Sequence, residues 1–239
     1  MPASHSIHKR SGITWTSDAC QSFDRYLQSA GIPAACLMEQ AARSISDFLL
    51  SAIPDGENSQ VLFLCGPGNN GADAVAAARQ LLFHPRLKPA ILLLGGPPAP
   101  QSLLQLQVLA YQNLGGEVLP SAEVAFSNRL PAPTILVDAL FGVGLQRPLA
   151  GNYAEVVNQA TALKIPVLAV DCPSGLNCDD GTVLGCCLPA TWTLSFIGYK
   201  RGFLHHAGPA LCGEVRVADI GVRSELAESW LALQRRDDD

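Results

Sequence analysis

The chain has 239 residues, 48% hydrophobic and 15% charged, with a formal net charge of −5. That is enough chain for one sizeable α/β domain with its own core, and it excludes a disordered protein. The acidic balance argues against a general nucleic-acid binder, which shows a basic face.

In chain order, residues 1–12 are polar, with His8, Lys9 and Arg10, and lack the apolar core of a signal peptide. No later apolar run is long enough to span a bilayer, so a cytoplasmic protein with no membrane partner is expected. Ser17-Asp18 opens a helix over 19–29, broken by Gly31-Ile32-Pro33. A second helix over 35–52 puts Leu37, Ala41, Ile45, Phe48 and Leu49 on one face. A polar loop, 54–59, leads to a strand over 61–65, and an alanine-rich helix covers 72–82. The unbroken apolar run 90–94 predicts a buried strand, ended by Gly95-Gly96-Pro97-Pro98. A helix over 102–114, a strand over 134–137, a helix over 153–163 and a strand over 165–170 follow. Two more strands are read at 192–196 and 215–220, and 235–239 reads as a frayed tail. This alternation predicts a mostly parallel sheet with helices on both faces. One domain is expected over 1–239: N-terminal helices to residue 54, an α/β core over 60–222 and a C-terminal tail over 223–239.

Eight cysteines carry no C-x-x-C pair and read as reduced thiols, several of them in apolar runs. Cys178 is near enough in sequence to Cys186 and Cys187 to oxidise, but nothing requires it.

Ligands of open α/β sheets bind beyond the carboxyl ends of the strands. Three polar motifs fall there. Gly66-Pro67-Gly68-Asn69-Asn70-Gly71-Ala72-Asp73 follows the strand ending at Cys65. Asp138-Ala139-Leu140-Phe141-Gly142-Val143-Gly144-Leu145 follows Val137, and Asp171-Cys172-Pro173-Ser174-Gly175 follows Val170. Asp138 or Asp171 alone could cap a loop; three such motifs on one edge point to a shared site. A strand, a glycine turn and a helix make an anion site, because the helix-start N–H groups point at the anion. The turn formally matches G-x-G-x-x-G, a weak signal by itself. The acid that would hold a ribose about twenty residues on is missing from 90–96, which disfavours an ordinary NAD-dependent dehydrogenase. No phosphate-binding G-x-x-x-x-G-K-[ST] occurs. Ser174 lacks the G-x-S-x-G elbow of a nucleophile, His205 and His206 read as surface residues, and Trp192 as core.

These three motifs, with Thr193-Leu194-Ser195-Phe196, Lys200 and Leu37-Met38-Glu39-Gln40-Ala41-Ala42, resemble the NAD(P)H-hydrate epimerases, also called the YjeF N-terminal domain. The resemblance covers nearly the whole chain. It implies a three-layer Rossmann-like fold, a homodimer, and a substrate that is NADH or NADPH hydrated at C6 of the nicotinamide ring (NADHX, NADPHX). It implies interconversion of the R and S hydrates as a step of nicotinamide cofactor repair. A separate dehydratase is the expected functional partner, since 239 residues leave no room for a fused one. It also implies one potassium ion per subunit on Asn70, Asp138 and Ser174. The implied substrate contacts are Asn69, Asn70, Gly71, Ala72 and Asp73, then Gly142, Val143, Gly144, Leu145, Gln146, Arg147 and Pro148, and Asp171. Arg147 reads equally well as a phosphate partner and as a solvated loop arginine.

The C6 centre bears a ring nitrogen and a hydroxyl. Inverting it requires reversible loss of hydroxide or ring opening, and either route moves protons. Asp171 is the expected proton-transfer group, and Lys200 a second one or its charge balance. Hard oxygen ligands suit an alkali cation, but residue types alone do not choose potassium over sodium or magnesium. Four positions depart from the family pattern, among them Cys172, which stands where a larger apolar residue is usual. Ala72 and Ala74 stand where glycine is usual, and either would be strained if its backbone needed positive φ. Val143 stands where Thr or Ser is common. The rival readings are a non-catalytic scaffold of the same fold, as in RNA-processing assemblies, and a nucleotide-binding sensor. Asn70, Asp138, Asp171 and Ser174 favour the enzyme.

Overall fold

The computed structural model describes residues 13–53, 59–127 and 132–237. The expectations for residues 1–12, for most of the loop before the first strand and for the last two residues lie outside it.

Two helices come first. Helix α1, Ser17–Ser29, is capped by the Thr16 side chain, which accepts from the Ala19 N–H at 3.2 Å. Helix α2 is Ala34–Ala52. Then follow β1 (Ser59–Cys65), α3 (Asn69–Leu81), β2 (Leu87–Leu93), α4 (Leu103–Asn113), β3 (Glu117–Leu119) and α5 (Ala122–Ala125). Strand β4 (Ile135–Ala139), α6 (Asn152–Ala162), β5 (Val167–Val170) and β6 (Trp192–Phe196) come next. A 3-10 turn over Arg201–Leu204, α7 (Gly208–Leu211), β7 (Glu214–Ala218) and α8 (Ser224–Asp237) complete the chain.

The seven strands form one sheet in the order β3-β2-β1-β4-β5-β6-β7, with every neighbouring pair parallel. Strand side chains alternate between the two faces. Val61, Phe63 and Cys65 pack toward α1, α2, α3, α4 and α8, while Leu62 and Leu64 pack toward α5 and α6. Both faces are thus covered, and the expected three-layer α/β architecture is the observed one. Strand order reverses direction between β1 and β4, and that is where a ligand cleft forms in such sheets.

Several elements differ from the sequence reading. Strand β2 begins at Leu87 and passes through Pro89, because β3 pairs only with Ala90, Ile91 and Leu92 and asks no N–H of Pro89. Helix α3 begins at Asn69, so the glycine turn is shorter than expected and both asparagines stand in the first helical turn. Ala72 and Ala74 are buried inside that helix with ordinary negative φ, so neither carries the strain considered for it. Most of the segment read as a tail is helix α8, whose Ala227 and Leu231 are buried. The segment before α1 is tied to the far side of the sheet. Trp15 N–H donates to the Tyr199 carbonyl and Arg201 N–H to the Trp15 carbonyl, both at 2.8 Å.

Candidate active site

The loops after β1, β4, β5 and β6 meet at one sheet edge and line a cavity of about 470 Å³. Its other walls are α1, through Cys20, Gln21 and Asp24, and α2, through Ala34, Leu37, Met38 and Ala41.

The floor is fixed by backbone contact. A methyl group on Gly66 would collide with the Leu140 carbonyl, and one on Gly71 with the Gly66 carbonyl. These two glycines therefore let the β1 and β4 loops interlock, and Gly71 itself is buried and does not line the cavity. Gly68, by contrast, faces open space and caps α3 without a side chain. The first intrahelical bond runs from Ala72 N–H to the Gly68 carbonyl at 3.1 Å, so the N–H groups of Asn69, Asn70 and Gly71 have no acceptor among the described residues. The buried Asn70 Nδ2 has none either. Free donors and a helix dipole at a cavity wall make a place for an anion.

Asp171 sits just past β5 with φ at +64°, in the left-handed region that non-glycine residues rarely enter. Its own N–H donates to the Leu194 carbonyl at 2.8 Å, which holds the turn. This geometry aims the carboxylate into the cavity. Its Oδ1 pairs with Lys200 Nζ at 2.8 Å and accepts from the Phe196 N–H at 3.2 Å. Lys200 is 1% exposed and also donates to the Phe196 carbonyl at 2.8 Å. Burial alone would pull this amine down, but Asp171 and then Cys20 outweigh it and hold the ammonium above the usual lysine range. A methyl on Gly142 would lie 3.3 Å from Asp171 Oδ2 and 3.4 Å from Asn70 Oδ1, so carboxylate and amide meet over that glycine.

Asp138 is the penultimate residue of β4 rather than a residue past its end, and it is fully buried with Ser174 behind the cavity wall. Ser174 Oγ donates to Asp138 Oδ1 at 2.6 Å and Ser174 N–H to Oδ2 at 2.8 Å. Burial pushes the Asp138 carboxyl up to about 6, against the lowering effect of those Ser174 bonds and of the Leu140 N–H. No basic side chain pairs with Asp138 among the described residues. A buried carboxyl bonded to a hydroxyl, and lacking a cationic partner, fits a small-charge metal ion. Asp138 and Ser174 are joined directly, while no hydrogen bond joins Asn70 to either among the described residues. The three residue types carry one formal charge, a balance that suits a monovalent alkali ion better than a divalent one. No group of three or more His, Cys, Asp or Glu side chains converges among the described residues.

Of the remaining sequence-derived contacts, Asn69, Ala72, Asp73, Gly142, Val143, Gly144 and Leu145 line the cavity. Gln146, Arg147 and Pro148 are exposed and lie outside its lining. Sequence reasoning missed the α1 wall. Asp24 and Asp73 both border the cavity and have no side-chain partner among the described residues. Burial pushes the Asp73 carboxyl well above the usual carboxylate range, with Asp171 and Asp24 adding to the shift. Asp24 is raised by burial and then by Asp171. The i, i+4 spacing of Cys20 and Asp24 on a polar-faced helix was the available signal; which face of the helix meets the sheet edge was not.

Comparison with known proteins adds to this geometry. The family model described as YjeF-related protein N-terminus matches residues 34–202. An NAD(P)H-hydrate epimerase of Limosilactobacillus reuteri (strain ATCC 55730 / SD2112) is 36% identical over 208 residues, covering 86% of this chain and 95% of that protein. One from Bordetella bronchiseptica (strain ATCC BAA-588 / NCTC 13252 / RB50) is 37% identical over 195 residues, covering 78% and 79%. The crystal structure of yeast ynu0, YNL200c, has the same fold, with a TM-score of 0.70 at 21% identity over 80% of this chain and 82% of that one.

Proposed function

We propose a mechanism from the premise that this chain belongs to the YjeF-related protein N-terminus family and is an isomerase that epimerises the hydrates of NADH and NADPH. The observation that carries the mechanism is the buried Asp171–Lys200 pair, held on a left-handed turn at the cavity. A paired carboxylate with a free Oδ2 is a proton acceptor placed for work on a bound ring. Lys200, sealed from water and bonded to two strand-end groups, fixes Asp171 and balances its charge. The free N–H groups at the start of α3 bind a phosphate of the dinucleotide. The cavity walls from α2, Ala34, Leu37, Met38 and Ala41, exclude water from one side of the substrate.

Asn70, Asp138 and Ser174 would hold a potassium ion. When bound, it supplies positive charge that compensates Asp138 and favours an anionic substrate. The soluble partner of the reaction is the small-molecule hydrate. A homodimer and a separate dehydratase acting on one epimer complete the reading, with cofactor repair in the cytoplasm as its setting.

Purified protein incubated with separated R and S hydrates in potassium chloride tests the proposal by chromatography. Both starting epimers should reach one common ratio. Two unchanged ratios, with the hydrate bound, would replace the enzyme by a sensor.

A further inference from the structure

The mechanism so far supplies a proton acceptor but no donor. Loss and return of the C6 hydroxyl on opposite ring faces needs both. Asp171 cannot serve as both at once: its Oδ1 is engaged by Lys200 and by the Phe196 N–H, so it works as a carboxylate.

We propose that Asp24 on α1 is the second catalytic residue of the epimerisation, giving a proton to the departing hydroxyl while Asp171 takes one from the incoming water. This inference rests on the epimerase reading. In the first step the C6–O bond breaks, the ring-nitrogen lone pair forms a C6=N iminium, and the hydroxyl leaves as water with the Asp24 proton. In the second, water bonds C6 from the other face and loses its proton to Asp171. The proton returns from Asp171 to Asp24 through solvent, so no oxidant or reductant is needed.

Three observations carry it. First, Asp24 lines the same cavity as Asp171, Lys200 and the unpartnered Asn70 amide. Second, the register of α1 is set on the catalytic pair itself. Trp15 forms a bridge with Lys200 just before the helix, and Ser17 N–H donates to Asp179 Oδ1 at 2.6 Å. Cys20, one helical turn before Asp24, feels the charges of Lys200 and Asp171, so this face of α1 borders the pair. Third, Asp24 is half-buried with no hydrogen-bond or ion-pair partner for its carboxyl among the described residues. Nothing structural needs it, and burial and then Asp171 raise its carboxyl above the ordinary carboxylate range, the direction a donor requires. The titratable groups facing it are Cys20 on its own helix, Asp73 on α3, Asp171 and Lys200. Asp73 is read instead as a substrate-binding group, because it stands in the second turn of the helix whose start forms the anion site.

Asp24→Asn and Asp24→Ser should each lower kcat about 100-fold, with KM for the hydrate changing less than about threefold. The melting temperature should rise rather than fall, because an uncompensated carboxyl has been removed; a purely structural residue would do the reverse. Wild-type kcat in either folded variant overturns the inference, as does a raised KM at unchanged kcat, which would make Asp24 a substrate-binding group. A loss of activity in Asp73→Asn alone transfers the donor role to Asp73 and overturns it too. Wild-type protein assayed alongside separates the two readings: if it fails to epimerise, the proposed function falls and takes Asp24 with it.

Discussion

Asp171 occupies a backbone conformation that Asn tolerates nearly as well as Asp, so Asp171→Asn preserves the turn. It leaves the Lys200 ammonium without its carboxylate at a site 1% exposed. The variant should therefore lose epimerisation while still binding the dinucleotide, and lose roughly 3 kcal/mol of stability by urea denaturation. Adding Lys200→Met should return most of that stability and none of the activity. Asp138 gives a prediction in pH. Its folded carboxyl is raised to about 6, so its stabilising contribution is complete below the unfolded value near 4 and is lost as pH rises through 6. In choline chloride the unfolding free energy should fall between pH 5 and 7.5, and Asp138→Asn should remove about 1 kcal/mol of that fall. Potassium chloride should shrink the same fall if the ion binds ionised Asp138. At this scale the sequence was most readable where an acid met a glycine after an apolar run, as at Asp138 and Asp171. The Asp171–Lys200 contact was only guessable, since it spans two strand ends joined by tertiary structure.

Elements with strong periodicity, such as α2 and β1, were legible because their burial pattern is local. Helix α8 was not: its own sequence is polar, and its reason to exist lies elsewhere in the chain. Trp230 stacks on Trp15 with ring centroids 6.3 Å apart and packs on Phe23 at 5.1 Å and Tyr26 at 5.8 Å. These aromatic contacts clamp α1, which forms a wall of the cavity. Trp230→Ala should cost about 2 kcal/mol in urea melts, raise KM for the hydrate several-fold and lower kcat as well, since α1 carries Asp24. An unaltered KM would show that α1 holds its place without α8. Helix α3 was misjudged at its start because asparagine is a poor helix former, yet at a first turn that weakness is harmless.

Across the whole molecule, the parallel sheet and its two covered faces followed directly from alternating apolar runs and helices, whereas the short β3, α5 and α7 left too little pattern to read. The cysteines follow the same division between core and surface. All eight are free thiols. Burial pushes Cys20 and Cys212 up to about 12 and raises Cys65, Cys172 and Cys187 as well, while Cys36 is exposed. A thiol-reactive dye should label Cys36 rapidly in the native protein and the buried thiols only after denaturation. Fast labelling of Cys172 would mean that the turn beside Asp171 opens on the timescale of the assay.

The interlock of Gly66, Gly71 and the Leu140 carbonyl has a practical consequence for anyone wishing to change what this cavity accepts. Variation at Gly66 or Gly71 breaks the scaffold before it alters selectivity, because the backbone each would meet has nowhere to retreat. The opposite wall is made of side chains on α1 and α2; Gln21 and Ala34 there are only partly buried and can be exchanged for others of different size. A library aimed at new substrates belongs on those two helices, with the glycine loop left untouched.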